Sequence, residues 1–141
     1  MKKDSVFVDT NIILDWLGRR EPFFKYAEEL FLKAENKEIE LLISTMSYIS
    51  TEYTLRKQLG KEKTRRALTG IRAISTVCNS GGKEIDLALV SDMKDFEGSF
   101  QYFTALNNSA SIILTRNPKD FVDSKLPIMS AEEYIKLGQK D

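Results

Sequence analysis

The sequence predicts a three-layer α/β/α domain built on a central parallel sheet of about five strands. Three observations lead there. Short apolar blocks alternate with longer helical patterns along the chain, an order that favours right-handed crossovers between parallel strands. Val6-Phe7-Val8 and Ile112-Ile113-Leu114 are apolar without alternation, as strands buried on both faces should be. The 141 residues suffice for one domain with a real core and are too few for two ordinary ones, so residues 1–141 read as a single domain.

The elements follow in order. The first strand is expected over Ser5–Val8, and Thr10 is placed to cap a helix over Ile12–Leu17. A helix over Phe23–Asn36 leads to a strand over Leu41–Ser44. Helical patterns over Thr45–Leu59 and Lys61–Ile74 are punctuated by Gly60, and a strand over Ser75–Cys78 follows. Gly81-Gly82 precedes a helix over Glu84–Asp92. Asp95 reads as the N-cap of a helix over Phe96–Asn107, in which Phe96, Phe100 and Phe103 recur at core spacing. After a strand over Ser111–Thr115, Asn117-Pro118 reads as a cap and first-turn proline, with Asp120 in the first turn of a short helix. A short strand over Pro127–Met129 and a helix over Ala131–Leu137 complete the pattern.

Composition narrows the chemistry. Lys+Arg and Asp+Glu both number 21, so bulk charge gives no reason for non-specific nucleic-acid or membrane binding. Cys78 is the single cysteine, which rules out an intrachain disulfide and suits a reducing compartment. No signal-peptide pattern opens the sequence, and no apolar run approaches the roughly 20 residues of a membrane helix. A cytoplasmic protein with no membrane partner is expected. Histidine is absent, which excludes serine–histidine and cysteine–histidine nucleophiles and histidine-ligated zinc. No phosphate-cradling glycine loop is present. Carboxylates, hydroxyls, amides and basic groups remain, a set suited to hard cations held by oxygen.

Asp9 is the leading candidate. An acid at the carboxyl end of a buried parallel strand sits where α/β sheets bind ligands, although an Asx-turn or cap also explains it. Asn11 reads as a cap neighbour or as a side chain orienting Asp9. Glu52 falls beside the apolar stripe of Tyr48 and Leu55, where a carboxylate is costly unless paired or metal-bound. Asp95 and Glu97 have ordinary roles as cap and first-turn acid. Gly98 is stranger, because glycine in a first helical turn costs about 1 kcal/mol relative to alanine. Arg116 and Asp120 remain free to face the crevice of Asp9. Between Arg56 and Arg72 the chain carries Arg56, Lys57, Lys61, Lys63, Arg65, Arg66 and Arg72, with Glu62 as the one acid. That stretch is a solvated helical face or a guide for a phosphate backbone.

Val8-Asp9-Thr10-Asn11-Ile12-Ile13-Leu14-Asp15, Glu52, Asp95-Phe96-Glu97-Gly98 with Gln101-Tyr102, and Thr115-Arg116-Asn117-Pro118-Lys119-Asp120-Phe121 together resemble the PIN-domain family. The resemblance runs from Val6 to about Met129. It implies a parallel-sheet α/β fold, acids binding Mg²⁺ or Mn²⁺, and ribonuclease activity on single-stranded RNA. Many small bacterial members resemble VapC-type toxins, which implies an antitoxin partner and a homodimer. Carried over by position, Asp9 is the central metal ligand and the candidate to bridge two ions, Glu52 the second acid and Asp120 the fourth. Asp95 lies near the remaining acid position. Thr10, Asn11, Thr115, Arg116 and Asn117 are the supporting polar groups expected around substrate. The family usually has an aspartate where this chain has Gly98. Slow catalysis favoured by Mn²⁺ is therefore expected. The alternative is a weakened or inactive module that binds RNA or protein through the same crevice. A receiver-like phosphoacceptor is a distant third, since no suitable lysine follows a late strand.

Overall fold

A computed structural model describes residues 3–121 and 123–139. The sheet has five parallel strands: β1 (Ser5–Val8), β2 (Glu40–Ser44), β3 (Ser75–Cys78), β4 (Ile112–Leu114) and β5 (Ile128–Met129). Their spatial order is β3-β2-β1-β4-β5. The helices are α1 (Thr10–Leu17), α2 (Phe24–Glu35), α3 (Thr45–Leu59), α4 (Lys61–Ala73), α5 (Gly82–Leu89), α6 (Phe96–Asn107) and α7 (Ala131–Gln139). None of the described helices is long and apolar enough to cross a membrane.

Successive strand residues point to opposite faces, so each buried strand feeds two cores. Val6, Val8, Leu41, Ile43, Ile112 and Leu114 face one way, into a cluster with Ile12 and Ile13 of α1, Leu30 and Phe31 of α2 and Ile135 of α7. Trp16 stacks on Phe31 there, with ring centroids 4.2 Å apart. Phe7, Leu42 and Ile113 face the other way, against Tyr102 and Ala105 of α6. This division makes the three layers, and it is why the central strands read as unbroken apolar runs. Each buried Leu, Ile or Phe side chain contributes about 1.5–3 kcal/mol of hydrophobic transfer.

Several expected details differ. The first helix begins at Thr10 rather than Ile12, because its cap is Asp9, whose carboxylate accepts from the Thr10 N–H. The helix after β3 spans Gly82–Leu89 rather than Glu84–Asp92. Glu84 sits one turn in and reaches back to accept from the Gly81 N–H at 2.7 Å. On α6 the fully buried face is Ser99, Gln101, Tyr102, Thr104 and Ala105, while Phe96 is half exposed. The phenylalanine spacing thus marked the flank of the helix rather than its inward face. Asn117 precedes a single 3₁₀ turn (Pro118–Asp120) but its side chain does not cap it.

Candidate active site

Strand order reverses between β1 and β4: β2 and β3 lie to one side of β1, and β5 lies beyond β4. Such a reversal opens a crevice above the carboxyl ends of the two strands. Val8 and Leu114 are partners in register, so the next residues, Asp9 and Thr115, emerge side by side. Thr115 Oγ1 donates to Asp9 Oδ2 at 3.0 Å. On the other oxygen, Oδ1, the Thr10 N–H donates at 2.9 Å and Gln101 Nε2 at 3.4 Å. A buried layer supports these contacts. Gln101 Nε2 also donates to Ser47 Oγ at 2.8 Å, and Thr10 Oγ1 lies 2.7 Å from the same Ser47 oxygen. Asp9 is therefore tied to β4, α1 and α6 at once.

Above it lies a polar cleft of about 380 Å³, lined by Asp9, Asp95, Glu97, Gly98, Asn117 and Asp120 among others. Ser50 and Thr54 of α3 close its wall, and Thr10, Asn11 and Thr115 lie at its base. No lysine or arginine lines it among the described residues. Glu97 registers the resulting field: partial burial, then the nearby charges of Asp9 and Asp95, push its carboxyl above the ordinary glutamate value. The Asp95 side chain caps α6 by accepting from the Gly98 N–H at 3.1 Å. A Cβ at position 98 would stand 3.2 Å from Asp95 Oδ2, so the missing side chain leaves the space into which Asp95 folds.

Asp9, Asp95 and Asp120, all expected from sequence, share this cleft, as do Thr10, Asn11, Thr115 and Asn117. Glu52 and Arg116 do not line it. Glu52 is paired with Arg56 one turn along α3, at 3.5 Å. Residues 50 and 54 share the cleft-facing side of that helix, and a step of two residues carries Glu52 round to a different one. Arg116 turns away to form a two-nitrogen pair with the buried Asp15 and lies over the Phe23 ring, 4.2 Å from its centroid. The hydrogen bonds to Asp15, despite partial burial, raise the guanidinium further above its ordinary pKa. Arg116 thus braces the segment after β4 against α1. Sequence reasoning assigned no role to Gln101 or Ser47 and left Glu97 as a helix-dipole acid. The available signal was a long polar side chain, Gln101, among buried positions of α6.

Among the described residues no group of three or more His, Cys, Asp or Glu side chains is close enough to enclose a metal ion by itself. The cleft nevertheless fits a hydrated divalent cation. Mg²⁺ keeps several waters and takes only one or two direct carboxylates, and this cleft supplies acids without any cationic side chain to neutralise them.

A PIN domain family model matches residues 5–119. The chain is similar to Ribonuclease VapC1 of Aquifex aeolicus (strain VF5), at 26% identity over 139 residues and 95% of each chain. Among solved structures it is similar to VapBC2 from Rickettsia felis bound to a promoter DNA fragment, with TM-score 0.62 and 16% identity, covering 89% of this chain and 96% of that one. The Mycobacterium tuberculosis toxin VapC20, described as cleaving the sarcin–ricin loop, superposes with TM-score 0.61 and 15% identity over 77% of this chain and 87% of that one. At these identities the solved structures speak to the fold. With the model match spanning most of its length, the chain belongs to the PIN-domain family.

Proposed function

We propose that this protein is a metal-dependent endoribonuclease that hydrolyses phosphodiesters of single-stranded RNA, acting as the toxin of a toxin–antitoxin pair. The observation that carries the reading is the acidic cleft at the strand-order reversal, which gathers Asp9, Asp95, Glu97 and Asp120 without a basic side chain. Such a surface repels a polyanion unless a cation stands between them. Asp9 and Asp120 are the residues to hold Mg²⁺ or Mn²⁺, with Asp95 and Glu97 beside them. An ion held there would supply positive charge beside a phosphodiester and lower the pKa of bound water.

The chain's own groups do the rest. Thr115 and the Thr10 N–H hold the Asp9 carboxylate in place. Glu97 lines the same cleft as Asp9, and the raised proton affinity of its carboxyl makes it the candidate general base toward water there. Asn11 and Asn117 offer amides to the RNA backbone from the cleft lining. The exposed Lys61, Lys63, Arg65 and Arg66 of α4 draw RNA toward the protein without entering the cleft. Similarity to VapC1 and to VapBC2 supports the toxin role and a proteinaceous inhibitor as partner. A homodimer and a cytoplasmic setting belong to the same reading.

The test is incubation with a single-stranded RNA and with its duplex, each in Mn²⁺ and in EDTA. Cleavage confined to the single strand with Mn²⁺ is expected. Salt-sensitive RNA binding without cleavage in any metal would instead favour the inactive binding module that Gly98 suggests.

A further inference from the structure

Gln101 is completely buried, yet its amide is oriented by the site rather than by its own helix. Nε2 donates to Ser47 Oγ and to Asp9 Oδ1, while Oε1 has no partner among the described residues. An orphaned buried acceptor costs about 1–3 kcal/mol, and an apolar side chain of the same shape would avoid it. Packing therefore does not account for an amide at this position. The carboxylate it touches does.

The acceptor capacity of Asp9 can be counted. An ionised carboxylate offers about four lone-pair sites on its two oxygens. The Thr10 N–H and Gln101 Nε2 occupy Oδ1, and Thr115 Oγ1 takes one site on Oδ2. One position remains, on Oδ2. Ser47 holds the Gln101 amide in this role and is itself held by Ser44 Oγ at 3.2 Å and by Thr10 Oγ1. The contact from Gln101 to Asp9 is thus fixed from α3 as well as from α6.

We propose that Gln101 is a positioning residue: it saturates Asp9 Oδ1 and thereby turns the carboxylate to meet one divalent cation through Oδ2 alone. This rests on the reading of the cleft as a cation site. It also revises the expectation that Asp9 bridges two ions, because a bridge needs acceptor positions that Asp9 has already given to protein donors.

Mn²⁺ binding to the full chain, read from the paramagnetic resonance of free Mn²⁺, tests the proposal. Thermal unfolding in EDTA is recorded in parallel for wild type, Gln101→Met, Ser47→Ala and Asp9→Asn. Wild type is expected to bind one Mn²⁺ that Asp9→Asn abolishes. Gln101→Met is expected to weaken that binding about tenfold, as loss of outer partners of metal ligands commonly does, with an unfolding midpoint equal to or above that of wild type. Ser47→Ala should show a smaller loss in the same direction. Wild-type affinity in Gln101→Met overturns the inference alone, as do two Mn²⁺ ions lost together in Asp9→Asn. If Gln101→Met does not fold, Ser47→Ala decides: reduced affinity supports the proposal and unchanged affinity overturns it. A wild-type chain that binds no Mn²⁺ overturns the cation site and this inference with it.

Discussion

Two carboxylates near the end of β1 meet opposite fates. Asp9 lines the cleft, whereas Asp15, only 1% exposed, is paired with Arg116. Removing one partner of a buried ion pair leaves an uncompensated charge, at a typical cost of about 3–5 kcal/mol. Arg116→Ala is therefore expected to lower unfolding free energy by about that amount, measured by urea denaturation. Loss of RNA binding at unchanged stability would contradict the bracing role. Gly98→Asp should tighten Mn²⁺ binding on the order of tenfold, since affinity follows the number of charged ligands. The Asp95 carboxylate must first yield by a few tenths of an ångström to the new Cβ. An unchanged affinity would mean that position 98 is not the weak point of the site. At this scale the meeting of Asp9, Asp95 and Asp120 in one cleft was legible because strand-end and helix-start positions follow from local pattern. The position of Glu52 outside that lining was not, because its stripe was read from two apolar neighbours, and one helical position either way changes the face.

The helices show which local signals carry furthest. Capping residues set α3 and α6: Ser44 accepts from the Ser47 N–H, and Asp95 from the Gly98 N–H. Both helices match their expected bounds. Gly60 adopts φ 83° between α3 and α4, a left-handed conformation that explains why the break falls there. The start of α5 was misplaced because Glu84 reads as a first residue and is in fact a tether. Its carboxylate accepts from Asn107 Nδ2 at 2.6 Å and from the Gly81 N–H, joining α5 to the end of α6. The Asn107 bond, then the Gly81 bond, hold its carboxyl below the ordinary glutamate range. A carboxyl with a lowered folded pKa stabilises the fold above its unfolded pKa and loses that contribution as pH falls through the folded one. Wild type should thus exceed Glu84→Gln in stability at neutral pH, and the gap should close on acidification below the ordinary glutamate range. A gap that widens with acid would contradict this.

Across the whole molecule, the layers and the parallel sheet were legible because unbroken apolar strands between helical patterns permit few other packings. The strand order was not, since nothing local says on which side of β1 the chain returns. Yet that order builds the cleft: only with β4 beside β1 do Asp9 and Thr115 meet, residues separated by 106 positions in sequence. The hydrogen-bonded layer of Ser44, Ser47 and Gln101 was equally hidden, since their contacts exist only where three elements converge. We propose that this convergence makes Asp9 the carboxylate on which hydrolysis depends. It is tested most directly by Mn²⁺-supported cleavage of a single-stranded RNA by wild type and Asp9→Asn, with circular dichroism confirming that both are folded. Cleavage by wild type that falls to the EDTA level in Asp9→Asn is the expected result. Equal cleavage by the two proteins would place the active site elsewhere.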